Sequence, residues 1–126
     1  MNIHHLAIWT KNIETMKDFY TKYFQCKAGK RYLNEAKGFS SYFLSFESGA
    51  KIELMKINEI NEDCEGNKLG LTHFAIALGS IENVNHLTQL IEIDGHTIIS
   101  YPRTTGDGYY ESVIADPENN LIELTV

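Results

Sequence analysis

The chain has 126 residues, 43% of them apolar and 22% charged, and its 11 basic against 17 acidic side chains give a net charge of −6. That length suits one compact domain with a sizeable core, and an acidic chain without a basic stripe argues against a nucleic-acid partner. The longest apolar run, residues 69–81, is too short to span a bilayer and contains His73, so no membrane association is expected. The opening MNIHHLAIWTKN lacks the basic and apolar regions of a signal peptide, which points to a cytoplasmic protein. Cys26 and Cys64 have no CxxC spacing and are expected as reduced thiols rather than a disulfide.

Ile3–Thr10 alternates as a strand, with Ile3, His5, Ala7 and Trp9 on one face and His4, Leu6 and Ile8 on the other. A helix follows to about Gln25, its apolar stripe made of Ile13, Met16, Tyr20, Tyr23 and Phe24. It is suited to covering Leu6 and Ile8, which leaves the His5 face for something else. Lys30–Leu33 is a short strand, Asn34–Gly38 a loop, Phe39–Phe46 a long strand, Glu47–Ala50 a hairpin turn and Lys51–Ile57 the returning strand. Asn58–Lys68 is acidic, without periodicity, and fits a linker.

The second half runs in the same order. Thr72–Leu78 is a strand, Ser80 a helix N-cap, and Val84, Leu87, Leu90 and Ile91 the helix stripe, which ends at Asp94-Gly95. His96–Tyr101 and Tyr109–Ala115 are strands joined by the loop Pro102–Gly108; the stretch Pro102–Tyr110 has the glycines and hydroxyls of a binding loop, which are also those of a plain connection between two strands. Asp116-Pro117-Glu118-Asn119-Asn120 is a turn, and Leu121–Val126 is the closing strand.

The two halves are echoes. His5-Leu6-Ala7-Ile8 returns 68 residues later as His73-Phe74-Ala75-Ile76, and Ile52-Glu53-Leu54 returns after 70 as Ile122-Glu123-Leu124. A repeat at nearly constant spacing is the signature of a duplicated unit. The expected fold is α+β: two βαβββ modules, residues 1–57 and 70–126, joined by a linker at 58–69 into a single domain. Whether the first and last strands of a module are neighbours is not written in the pattern.

Each half then carries one His on its first strand and one Glu on its last: His5, Glu53, His73 and Glu123. A lone His on a strand is usually a hydrogen-bonded or surface residue, and a strand Glu is usually solvated. A carboxylate kept between apolar neighbours needs a partner, however, and here the arrangement occurs twice. Two imidazoles and two carboxylates suit a divalent ion, while the absence of cysteine among them argues against a closed structural zinc site. His4 competes with His5, but the repeat register favours His5. His86 and His96 have no counterparts in the other half.

At these residues, and at Phe19-Tyr20, Gly70-Leu71-Thr72-His73 and Asp116-Pro117-Glu118-Asn119-Asn120, the chain resembles the vicinal oxygen chelate superfamily. Within it, the chain looks most like the glyoxalase I-like (lactoylglutathione lyase-like) proteins. The resemblance implies curved sheets around a divalent metal (Ni, Zn or Co), a homodimer, and His5, Glu53, His73 and Glu123 as ligands. It also implies conversion of the hemithioacetal of a 2-oxoaldehyde such as methylglyoxal and a thiol into a 2-hydroxyacyl thioester. Glu123 would be the proton-transferring base, with Glu53 the alternative. Where similar enzymes often place an arginine to hold glutathione, this chain has Trp9. Trp9 and Arg103 are therefore the candidate substrate contacts, and Arg31 is a further possible anion contact. Competing functions are another metal-dependent reaction of the superfamily, such as an epimerase or thiol transferase, and non-catalytic sequestration of a flat drug.

Overall fold

A computed structural model describes residues 2–60, 70–106 and 108–126. Residues 61–69 of the expected linker, with Cys64, and Asp107 of the expected binding loop lie outside the described residues. The chain divides into two units, Met1–Asp63 and Cys64–Val126.

In unit 1, β1 (His5–Trp9) leads into α1 (Ile13–Tyr23), followed by β2 (Lys27–Ala28), β3 (Tyr32–Asn34), a 3-10 turn at Glu35–Lys37, β4 (Phe39–Ser45) and β5 (Lys51–Lys56). Asn12 caps α1 by accepting from the Thr15 amide at 3.2 Å. The sheet order is β1-β5-β4-β2, with β3 also on β4. Of the short strand expected at Lys30–Leu33, only Tyr32 and Leu33 are in a strand, as part of β3 paired with Phe39–Ser41, while β2, paired with Leu44 and Ser45 of β4, lies before the expected range. The edge strand is broken where Gly29 donates to the Phe43 carbonyl at 2.8 Å.

The first and last strands of the unit are parallel neighbours, β1 against β5. α1 covers the face carrying Ile8, Leu44, Ile52 and Leu54, all buried, and adds Met16, Phe19, Tyr20 and Tyr23. Phe19, absent from the expected stripe, joins it one turn before Tyr23. Period-2 alternation then fixes the opposite face as the one carrying His5, Glu53 and Phe43.

Unit 2 repeats this plan: β6 (Phe74–Ala77), α2 (Ile81–Ile93), β7 (Ile98–Thr104), β8 (Tyr110–Ala115) and β9 (Leu121–Thr125), in the order β6-β9-β8-β7. Ser80 caps α2 as expected, accepting from the Asn83 amide at 3.2 Å. The helix stripe differs from expectation: Val84, Thr88 and Ile91 are buried, while Leu90 is exposed. At about 100° per residue, Leu90 sits about 120° away from Val84, whereas Thr88 and Ile91 stay within about 40°. Thr88 is accommodated because its hydroxyl donates to the Val84 carbonyl at 2.7 Å and bonds the buried Ser112 hydroxyl, also at 2.7 Å.

Strand β7 runs on through Pro102 to Thr104, into the stretch expected as a loop. Its register shifts twice between Ile98 and Arg103. A proline without an N–H is tolerated there because β7 is an edge strand with irregular pairing. The architecture is thus α+β, with two βαβββ-type modules of matching strand order. Among the described residues, no helix is long and apolar enough to cross a membrane.

Candidate metal centre

Glu53 lies between Ile52 and Leu54, both buried under α1, so alternation directs its carboxylate to the face the helix leaves open. The parallel register places Ala7 beside Glu53 and His5 one rung away on the same face. His5 Nε2 stands 3.7 Å from Glu53 Oε2. In unit 2, Ala75 is beside Glu123, and His73 immediately precedes β6. His73 Nε2 stands 3.3 Å from Glu123 Oε2. Both carboxylates are well shielded, at 16% and 19% side-chain exposure, whereas the two imidazoles are far more open.

Two donors bound at about 2.0–2.2 Å to one ion lie about 3.0 Å apart at a right angle and about 3.4 Å at a tetrahedral angle. Separations of 3.3 and 3.7 Å are near that span, so each His–Glu pair fits as two adjacent ligands after little movement. Neutral imidazole with carboxylate is also the donor chemistry of borderline divalent ions. The four residues are brought together two by two, one pair in each unit. Among the described residues, no group of three or more potential ligands is gathered.

Of two further neighbours of the first pair, Phe43 was not singled out from sequence and His4 was set aside in favour of His5. His4, expected on the helix-packed side, is exposed before β1 and places Nδ1 2.9 Å from Nδ1 of His5. That contact occupies one nitrogen of the His5 ring and leaves Nε2 toward Glu53. The His4-His5 doublet was the available signal, but side alternation misassigned it because β1 begins only at His5. Phe43, cross-strand from Glu53, packs its ring edge-to-face with His5 at 5.5 Å between centroids.

The candidate substrate contacts belong to different units. Trp9 is on the same open face as His5 and Glu53 and is half-exposed. Arg103 is on edge strand β7, where it donates to Ser100 Oγ and lies 3.7 Å from the carboxylate of Glu111, its cross-strand partner. Its charge therefore already has a counter-ion. Arg31 is not on an open face: it donates to buried Ser40 and pairs with Glu14 of α1. Glu14 also accepts from Lys17 at 2.6 Å and from the Tyr42 hydroxyl at 3.0 Å. The Lys17 hydrogen bond is the foremost reason that the Glu14 carboxyl titrates below its ordinary range.

The sequence profile of the Glyoxalase/Bleomycin resistance protein/Dioxygenase superfamily matches residues 2–124. The chain belongs to that superfamily. Solved structures of this glyoxalase superfamily share its fold at low identity. A glyoxylase/bleomycin resistance protein/dioxygenase domain from Frankia sp. EAN1pec superposes with a TM-score of 0.85 at 15% identity, covering 100% of this chain and 97% of that one. A glyoxalase family protein from Enterococcus faecalis gives 0.81 at 21%, with coverages of 99% and 97%. Glyoxalase I from Zea mays gives 0.81 at 22%, covering 98% of this chain but 44% of the maize protein, so this chain spans less than half of that enzyme. A comparison with curated proteins finds no match. The superfamily resemblance read from the sequence is thereby borne out.

Proposed function

We propose that the protein is a metal-dependent glyoxalase I-like isomerase (a carbon–sulfur lyase), with His5, Glu53, His73 and Glu123 as ligands of one divalent ion, Ni, Zn or Co. The observation that carries this proposal is the duplicated His–Glu pair, at 3.7 and 3.3 Å, on the open faces of two sheets of matching strand order. A divalent ion held there would supply Lewis acidity for the oxyanion that develops when a carbon acid is deprotonated.

The residues' own part is proton transfer and support. A carboxylate takes the proton from C1 of the hemithioacetal and returns it to C2, while the proton of the C1 hydroxyl passes to the C2 oxygen, so that C1 becomes the thioester carbonyl, C2 carries the hydroxyl and no atom or electron is gained or lost. Glu123 is assigned as this base and Glu53 as its near-equivalent. His4 and Phe43 hold the His5 ring. Trp9 and Arg103 are the substrate contacts, and two copies of the chain form the working cytoplasmic assembly. Two carboxylates shielded beside imidazoles have no use in a purely apolar drug-sequestering cleft, which favours catalysis over sequestration.

Metal content of the isolated protein, followed by ultraviolet assay of thioester formation from methylglyoxal and a panel of thiols after Ni, Co or Zn loading, tests the proposal. Stoichiometric metal and turnover with at least one thiol are expected, and Glu123→Gln lowers kcat about 10²-fold or more. Metal uptake without turnover would redirect the reading to an epimerase or thiol transferase. No metal uptake by any of the three ions would remove it.

A further inference from the structure

The duplicated plan makes the two open faces comparable rung by rung, and one rung has diverged completely. In unit 1 this rung is Trp9, Met55, Ser41 and Tyr32, each paired to the next across β1, β5, β4 and β3. In unit 2 the equivalent rung is Ala77, Thr125, Glu111 and Arg103. A small residue and an ion pair stand where unit 1 has a tryptophan and a tyrosine. The fold does not require the aromatics, since the same strand arrangement forms without them.

In unit 1 they make an ordered apolar shelf. The Phe39 ring lies 6.3 Å from Trp9 and 6.1 Å from Tyr32, edge-to-face with the first and tilted to the second. Trp9 is 49% and Tyr32 55% exposed despite that packing. Glu53 shares this face one rung away, about 7 Å along the strands at 3.3–3.4 Å per residue. A flat ring joined directly to a polar head covers that distance. Exposed aromatics presenting ring faces beside polar catalytic groups bind flat apolar partners, with the polar groups fixing orientation.

From this geometry we infer that the Trp9–Phe39–Tyr32 shelf seats an aromatic group of the substrate, whose polar reacting end lies at His5 and Glu53. The inference rests on the metal-site proposal above and adds the substrate class: a 2-oxoaldehyde adduct bearing an aromatic rather than an anionic tail. The unit 2 rung agrees with this choice. Its cation, Arg103, a substrate contact in the proposal above, already has Glu111 as a counter-ion 3.7 Å away, so it meets the substrate as a hydrogen-bond donor rather than as a free cation for an anionic tail.

Trp9 is the only tryptophan in the chain, so its emission reports directly on the shelf. The test uses the metal-loaded protein and two chelators with the same metal-binding head, acetohydroxamate and 2-naphthohydroxamate. Metal uptake is measured first by titration calorimetry. The naphthyl compound is expected to bind at least tenfold more tightly and to quench Trp9, with acetohydroxamate leaving the emission unchanged. Phe39→Ala or the surface change Tyr32→Ser, which does not touch the core, is expected to collapse the difference between the two chelators. Equal affinities with unchanged emission from a metal-loaded protein overturn the shelf while leaving the metal proposal standing. Failure to take up metal overturns the metal proposal and this inference together. A shift of Trp9 emission with protein concentration alone, before any ligand is added, shows a second copy of the chain on the shelf and also refutes the inference.

Discussion

Replacing Asp116 by alanine tests how the position of Glu123 is fixed. The Asp116 side chain is buried at the start of the turn between β8 and β9. Its Oδ1 accepts from the amides of Glu118 and Asn120, both at 2.9 Å, and its Oδ2 accepts from Asn120 Nδ2 at 2.9 Å. Around it the backbone closes with Asn119 donating to the Asp116 carbonyl at 3.0 Å, helped by a left-handed Asn119 with φ of 67°. The register that leaves this turn sets Ala115 opposite Leu121 and Val113 opposite Glu123.

A slip of one residue would turn Glu123 toward α2 and push the fully buried Ile122 and Leu124 outward, so the turn and the core specify the same register. Three hydrogen bonds to an ionised acceptor contribute about 1.5–3 kcal/mol each when dry, but Pro117 and Asn119 are exposed and water can reach the amides that alanine would orphan. Asp116→Ala is therefore expected to destabilise the protein by about 2–4 kcal/mol, out of a total on the order of 5–15 kcal/mol. Asp116→Asn keeps one acceptor oxygen for the two amides and should cost about half as much. Urea unfolding followed by circular dichroism measures both, with an unchanged m-value as the sign of a two-state comparison. A loss below about 0.5 kcal/mol for the alanine variant, the ordinary range for surface changes, would show that strand pairing alone fixes the register.

Thr88→Val should cost about 1–3 kcal/mol, because it leaves the buried Ser112 hydroxyl without its partner. Adding Ser112→Ala should recover part of that loss in a urea double-mutant cycle. Burial pushes the Cys26 thiol above its ordinary value, so peptide mapping after an aromatic disulfide reagent should find Cys26 unmodified in the native protein and modified in urea. The lowered Glu14 titration makes its contribution fully present above the ordinary value of 4.5 and lost as pH falls through the lower folded-state value. Because Glu14 and its partners are partly exposed, Glu14→Gln should destabilise by only about 0.3–0.5 kcal/mol at neutral pH and by nothing measurable once the carboxyl is protonated in both states, as urea midpoints in the two buffers would show.

Much of the candidate site was legible because a strand has only two faces. Ile52 and Leu54 around Glu53, and Ile122 and Leu124 around Glu123, are buried as their alternation requires, and that alone sends both carboxylates to the other side. Local chemistry was equally readable at Ser80, whose short side chain caps α2. The failures lie where neighbours decide. Thr88 was not in the expected helix stripe, yet it is buried because Ser112 and the Val84 carbonyl satisfy its hydroxyl. Pro102 looked like a loop residue, yet an edge strand with shifted register accommodates it. Arg31 looked available to an anion until Glu14 and Ser40 were found around it.

The sequence by itself determined the duplication, the βαβββ order of each half and the face on which Glu53 and Glu123 stand, because period and repeat are properties of the chain alone. Only the tertiary structure decided that the first and last strands of each unit lie side by side and parallel, bringing a His within 3.7 or 3.3 Å of a Glu nearly fifty residues away. Strand neighbours are chosen by hydrogen bonding and helix packing summed over the whole sheet, and no local pattern encodes that sum.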